Sequence, residues 1–122
     1  MKAVIDSDVL IDYLQGFGEA KTEMDRYDEP IYSVISWMEV MCGAGSDRER
    51  AAAESLFRSM KRVDVSMEVA TGAVRERRAL RLKLPDAIIF ATASSEGCFL
   101  VTRNTRDFDT SDPRVRIPYR LS

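Results

Sequence analysis

Short apolar segments alternate along the chain with stretches whose apolar residues recur at helical spacing. Five of the apolar segments are too short for helices and predict strands, at residues 2–5, 31–34, 63–65, 99–101 and 115–117. The stretches between the first four segments carry apolar residues three or four positions apart, which predicts amphipathic helices. This alternation is typical of a parallel sheet with helices packed on both of its faces.

Capping residues mark where several of these helices should begin. Ser36 is followed three residues later by Glu39, which matches a capping box at the start of the helix after the second strand. Asp47 and Ser66 are predicted to cap the next two helices. Segment 86–96 is apolar nearly all round, so we expect a buried helix there, beginning at Pro85 and ending at Gly97.

The predicted fold class is a Rossmann-like, three-layer α/β/α fold with a central, mostly parallel sheet of four to five strands. The length of 122 residues fits one domain, which we expect to cover residues 1–122. Right-handed crossovers place the carboxyl ends of parallel strands at the same sheet edge. Functional side chains are therefore expected at that edge.

The chain contains no histidine, which excludes Ser-His-Asp and Cys-His catalysis and the usual imidazole zinc site. Any bound metal must then be held by oxygen ligands, and these favour Mg²⁺ or Mn²⁺. The net charge of −2 is unevenly divided, because residues 1–60 hold 12 of the 20 acidic residues and only 6 of the 18 basic ones. This asymmetry is compatible with an acidic metal site beside a basic surface for phosphate.

Several carboxylates fall at strand ends or helix starts on the predicted functional edge. They are Asp6 and Asp8 after the first strand, Glu39, Asp86, and Asp107 after the fourth strand. Carboxylates within a few ångströms repel one another unless a cation or protons compensate them. A divalent ion would relieve the repulsion, lower the pKa of a bound water and stabilise a charged transition state. Each acid also has a local explanation, such as a capping box for Glu39 or a helix dipole for Asp86.

Four segments resemble the motifs of PIN-domain nucleases, specifically VapC-type toxins. They match in order and spacing: Val4–Leu14, Ser33–Val40, Leu84–Ala93 and Leu100–Phe108. The resemblance implies a PIN fold and hydrolysis of RNA with Mg²⁺ or Mn²⁺. It also implies that Asp6, Glu39, Asp86 and Asp107 form the catalytic acidic set.

Within that set the resemblance implies that Asp6 and Asp86 bind the metal directly. Glu39 and Asp107 would hold or activate the water, or bind a second metal. Three further residues would order the site or position the substrate: Asp8, Thr102 and Asn104. Asp8 stands where the family often has Asn or Ser, so its role stays open.

The family also implies partners. Members of this size commonly form homodimers, and each is neutralised by a small antitoxin whose C-terminal segment lies across the site, often offering an arginine to the carboxylates. Arg103 and Arg106 flank the expected site and are predicted to contact RNA phosphates.

Two alternatives remain from the sequence alone. Asp6-x-Asp8 after a strand also begins the first motif of haloacid dehalogenase-like phosphatases, although Leu10 and the lack of a suitable later lysine fit that family poorly. The other alternative is a PIN-like module that binds RNA or protein without cutting. No secretion signal or membrane span is visible, so we expect a cytoplasmic protein.

Overall fold

The computed structural model describes residues 1–121, and Ser122, the last residue of the predicted domain, lies outside them. The described part contains five strands and six helices, with a pair of helices after each of the first three strands. Along the chain these are β1 (Lys2–Ile5), α1 (Ser7–Leu14), α2 (Gly18–Met24), β2 (Glu29–Ser33), α3 (Val34–Gly43), α4 (Asp47–Arg58), β3 (Lys61–Val63), α5 (Met67–Leu80), α6 (Leu84–Ser95), β4 (Leu100–Val101) and β5 (Val115–Arg116).

The five strands form one sheet in the order β3-β2-β1-β4-β5, and every neighbouring pair is parallel. The chain therefore moves outward from β1 in one direction through β2 and β3, and in the other through β4 and β5. The direction reverses between β1 and β4, and this position is the topological switch point of the sheet. Open α/β sheets bind their ligands at the switch point. The predicted three-layer fold class is confirmed, with a sheet that is wholly parallel.

Apolar side chains alternate between the two faces of the sheet and build a core on each. Ala3 and Ile5 belong to a cluster with residues of α1, α2 and α4, whereas Val4 belongs to a cluster with residues of α5 and α6. The alternation follows from the period of two along a strand. Helix α6 is the buried helix expected from its composition, and Phe90 is almost fully enclosed.

Two predicted helix caps are wrong, one by three residues and one by a single residue. Helix α3 is capped by Ser33, whose hydroxyl accepts the Ile35 N–H at 3.1 Å, and not by Ser36. Glu39 therefore lies in the second turn and closes no capping box. Helix α4 is likewise capped by Ser46 and not by Asp47.

The third strand also differs from its prediction, because it occupies Lys61–Val63 and Val65 is exposed. Pairing with β2 sets this register, with Ser33 opposite Val63. None of the helices described in residues 1–121 is long and apolar enough to cross a membrane.

Candidate active site

Asp6 is the central carboxylate of the site. It follows β1, caps α1 with an extended backbone, and accepts the Ser7 N–H on Oδ1 at 2.7 Å. Its Oδ2 accepts the Thr102 hydroxyl at 2.7 Å, which joins the ends of β1 and β4 across the switch point. Burial and the nearby Asp8 raise the pKa of Asp6 to about 8, although the hydrogen bonds from Thr102 and Ser7 oppose the shift.

Asp8 shares the Thr102 hydroxyl with Asp6, at a longer 3.4 Å, and accepts the Val9 N–H at 2.7 Å. Burial raises the pKa of Asp8, while the Arg103 guanidinium opposes that shift. Asp8 therefore lies beside Asp6 as a second, partly buried carboxylate. Asp8, whose role the sequence left open, is thus within the candidate site.

Glu39 reaches the same edge of the sheet from α3. Its Oε1 accepts the Ser7 hydroxyl at 2.6 Å. Since Ser7 directly follows Asp6, this hydrogen bond ties the helix that carries Glu39 to the start of α1. The predicted side chain is thus brought to the site by Ser7 and not by a helix cap.

Asp86 and Asp107 complete the predicted acidic set. Asp86 lies half-buried in the first turn of α6, and its pKa is raised by burial and then by the charges of Asp107 and Glu39, with Lys83 opposing. Asp107 accepts the Asn104 side-chain amide at 3.0 Å, and its N–H donates to the Asn104 side-chain oxygen at 3.1 Å. Asn104 therefore fixes Asp107 in the loop after β4.

The five carboxylates act on one another electrostatically. The charges of Asp8 and Asp86 raise the pKa of Asp6. The pKa of Asp86 is raised by the charges of Asp107, Glu39 and Asp8. Within residues 1–121, however, no three of these side chains are already close enough together to hold a metal ion. Each of the hydrogen bonds described above holds its carboxylate oxygen toward a protein donor. The donor set fits a hard divalent cation in chemical type, since Mg²⁺ is commonly held by one or two carboxylates with waters in its other positions.

The loop after β4 borders a cavity of about 420 Å³ whose lining is mostly polar or charged. The lining consists of Asp8, Arg103, Asn104, Thr105, Arg106 and Asp107. Arg106 is exposed at the rim. Arg103 instead turns inward and makes two hydrogen bonds to Asp12, from Nε at 2.6 Å and from Nη2 at 3.1 Å.

Three residues of this region were missed from the sequence: Ser7, Asp12 and Tyr119. Asp12 is buried and also accepts the Tyr119 hydroxyl at 2.7 Å. A charged residue inside the apolar run 9–14 was the available indication for Asp12. Neither the Ser7 contact, which spans 32 positions, nor the Tyr119 contact, which spans 107, leaves a local pattern.

The PIN domain family model matches residues 3–112. The chain belongs to the PIN domain family. This membership does not favour the haloacid dehalogenase alternative. That family requires a lysine after a later strand, whereas β4 of this chain is followed by Thr102 and Arg103.

Solved structures agree with the family assignment. A toxin–antitoxin complex from Klebsiella pneumoniae contains a chain that is 37% identical, with a TM-score of 0.91, and the match covers 98% of this chain and 99% of that one. This likeness confirms the predicted resemblance to VapC-type PIN toxins.

More distant structures share the fold. DNA-bound VapBC from Salmonella typhimurium is 23% identical with a TM-score of 0.82, and the match covers 96% of both chains. FitAcB from Neisseria gonorrhoeae is 18% identical with a TM-score of 0.81, and the match covers 99% of this chain and all of that one. No curated protein sequence matches the chain significantly.

Proposed function

We propose that this PIN domain is a metal-dependent endoribonuclease and the toxin of a toxin–antitoxin pair. The observation that carries the proposal is the position of Asp6, which is buried at the switch point beside two further carboxylates, with no cationic side chain of residues 1–121 bonded to it. Such an arrangement costs free energy unless a cation or a proton neutralises it, and a bound divalent ion would supply that positive charge with Asp6 ionised. The 37% identical chain of the Klebsiella pneumoniae toxin–antitoxin complex supports the toxin assignment.

In this proposal Asp6 and Asp86 hold Mg²⁺ or Mn²⁺, which when bound supplies a water of lowered pKa and stabilises charge on the phosphate. Glu39 and Asp107 orient the attacking water near the scissile phosphodiester. Thr102 and Asn104 keep Asp6 and Asp107 in place through the hydrogen bonds described above.

Arg106 is suited to contact a backbone phosphate, because it is exposed at the rim of the polar cavity. RNA as the substrate and the cytoplasm as the place of action belong to the same proposal. The alternative that stays open is a module of this fold that binds RNA without cutting it.

This chain has a groove that is suited to bind the proposed antitoxin partner. Between α1, α3 and α4 lies a partly enclosed cavity of about 380 Å³ with a largely apolar lining that includes Ile11, Leu14, Val40 and Ala53. Helix α1 also carries Asp8, so a segment lying in this groove would continue toward the carboxylates. An arginine at its end would pair with them and compete with the metal.

We also propose a homodimer, since α3, α5 and α6 expose large apolar side chains. These include Trp37 and Met38 on α3, Met67 and Val74 on α5, and Leu84 on α6. Light scattering of the purified chain is expected to give twice the monomer mass.

The test is cleavage of single-stranded RNA by the purified chain with Mn²⁺, with Mg²⁺ and with EDTA. Cleavage is expected with either ion and not with EDTA. Asp6→Asn is expected to abolish it, while Asp25→Asn, in an exposed ion pair with Lys21 on α2, serves as the matched control and is expected to cleave normally. Metal-independent cleavage, or full activity of Asp6→Asn, would overturn the mechanism. RNA binding without cleavage would favour the binding module.

A further inference from the structure

Two buried carboxylates in this protein each accept hydrogen bonds from one arginine and one tyrosine, and Glu23 also forms a longer ion pair with Arg26 at 3.7 Å. Asp12 accepts two hydrogen bonds from Arg103 and one from Tyr119. Glu23 accepts two from Arg116, at 2.7 and 3.0 Å, and one from Tyr27 at 2.5 Å. A carboxylate and a guanidinium in this geometry form a strong, oriented ion pair.

The two ion pairs differ in what surrounds the arginine. Arg103 and Asp8 line the same polar cavity, and the Arg103 charge acts on Asp8. Arg103 also directly follows Thr102, which donates to Asp6. Arg116, in contrast, donates to Glu23 on α2, which is not one of the carboxylates of the proposed metal site.

Whether an arginine beside a metal site hinders metal binding depends on which carboxylate binds its guanidinium. A free guanidinium next to Asp8 would form an ion pair with the carboxylates and compete with a divalent cation for them. In the described structure both Nε and Nη2 of Arg103 donate to Asp12, which lies on α1. Tyr119 donates to Asp12 Oδ2 and keeps that carboxylate in position.

We propose that Asp12 is a positioning residue that holds Arg103 away from the metal-binding carboxylates and thereby keeps them available to a divalent ion. The proposal rests on the proposed metal-dependent function and adds to it a role for a residue outside the acidic set. It also replaces the predicted contact of Arg103 with RNA phosphate by an internal role for that side chain.

The test measures Mn²⁺ affinity by isothermal titration calorimetry, a readout independent of catalysis. Asp12→Asn is expected to weaken Mn²⁺ binding by about 10- to 100-fold, as loss of supporting contacts around metal ligands commonly does. Adding Arg103→Gln to Asp12→Asn is expected to restore affinity to near the wild-type value, because the competing cation is gone. A merely structural role for Asp12 predicts that the double variant binds no better than the single one, and that result would overturn the proposal.

The matched control uses the second ion pair. Glu23→Gln, alone or with Arg116→Gln, is expected to lower the melting temperature and leave Mn²⁺ affinity unchanged. A loss of affinity in these variants as large as in Asp12→Asn would show that general destabilisation is responsible, and would overturn the proposal.

Arg103→Gln alone covers the case in which Asp12→Asn does not fold. It removes the cation while Gln can still donate to Asp12, so Mn²⁺ affinity is expected to equal or exceed that of the wild type. Weaker binding would contradict the proposal. RNA cleavage by the wild type distinguishes failure of this proposal from failure of the proposed function. If the wild type cleaves with Mn²⁺ and the double variant does not regain Mn²⁺ affinity, only the role of Asp12 is wrong. A wild type that neither binds Mn²⁺ nor cleaves overturns both proposals.

Discussion

The Ser7 hydroxyl donates a 2.6 Å hydrogen bond to Glu39 Oε1 and so links the start of α1 to the second turn of α3. Ser7 is buried, whereas Glu39 is largely exposed. The serine is therefore the fixed member of the pair, and the glutamate is the side chain that it positions.

Replacing Ser7 by alanine is expected to release Glu39 from the site. The lost hydrogen bond should lower the free energy of unfolding by about 1 kcal/mol, and RNA cleavage should fall because Glu39 no longer holds its orientation. Ser46→Ala is the control, since loss of the α4 cap costs a similar ~1 kcal/mol at a hydroxyl whose hydrogen bonds are with Glu49 of α4 and not with Glu39. Equal activity of the two variants would contradict a role for Ser7 in placing Glu39.

Thr102 is expected to be needed for its hydroxyl and not for its shape. Thr102→Val keeps the volume but leaves buried Asp6 Oδ2 without a donor, so it should lower the free energy of unfolding by about 1–3 kcal/mol and weaken Mn²⁺ binding. Thr102→Ser should retain both properties.

The control for Thr102 is Thr92→Val, which removes a buried hydroxyl whose bond goes only to the Ile88 carbonyl of its own helix. This variant should change stability little and Mn²⁺ affinity not at all. If Thr102→Val bound Mn²⁺ like the wild type, the hydroxyl of Thr102 would not be supporting the site.

The sheet edge and the places of Asp6 and Asp86 in the fold could be predicted from the sequence because they follow from local patterns, whereas the catalytic role of the acidic set stays a prediction. Asp6 ends an apolar strand, and Asp86 begins an apolar helix, so their places in the fold depend on periodicity alone. The parallel sheet then brings strand ends together regardless of loop detail.

The helix caps and hydrogen-bond partners were less predictable, because competing residues stand side by side. Ser33 and Ser36 are both good caps, and the choice depends on where β2 stops pairing with its neighbours. The partner of Glu39 depends on how α1 and α3 approach each other. These are tertiary relationships, which a local pattern does not contain.

The Glu23–Arg116 ion pair is expected to make stability depend on pH at the acidic end. Burial alone would raise the pKa of Glu23, but the hydrogen bonds from Arg116 and Tyr27 together with the charges of Arg116 and Arg26 outweigh it, and the folded-state pKa is lowered. The stabilisation is therefore present above the ordinary glutamate pKa of 4.5 and is lost as pH falls through the folded value. Urea unfolding of the wild type and Glu23→Gln should differ at pH 7 and converge in acid. A constant difference across that range would contradict the shift.

Arg81 ends α5 in the left-handed conformation, with φ 57° and ψ 32°. A side chain in this region costs about 1–2 kcal/mol relative to glycine. Part of glycine's advantage is lost because glycine has more conformational freedom in the unfolded chain. The Arg81 N–H donates to the Arg77 carbonyl at 2.9 Å, a bond that glycine would keep. Arg81→Gly is therefore expected to raise the free energy of unfolding by about 0.5–1 kcal/mol.

Arg78→Gly provides the control with the opposite sign. Arg78 is exposed like Arg81 but lies inside α5, where glycine should lower stability by about 1 kcal/mol. Urea unfolding of the two variants measures both effects. Both substitutions remove one exposed arginine from the last part of α5 or its cap, so a difference in sign would indicate the backbone conformation at Arg81 as its cause. Destabilisation by both would mean that the Arg81 side chain contributes more than its strained backbone costs.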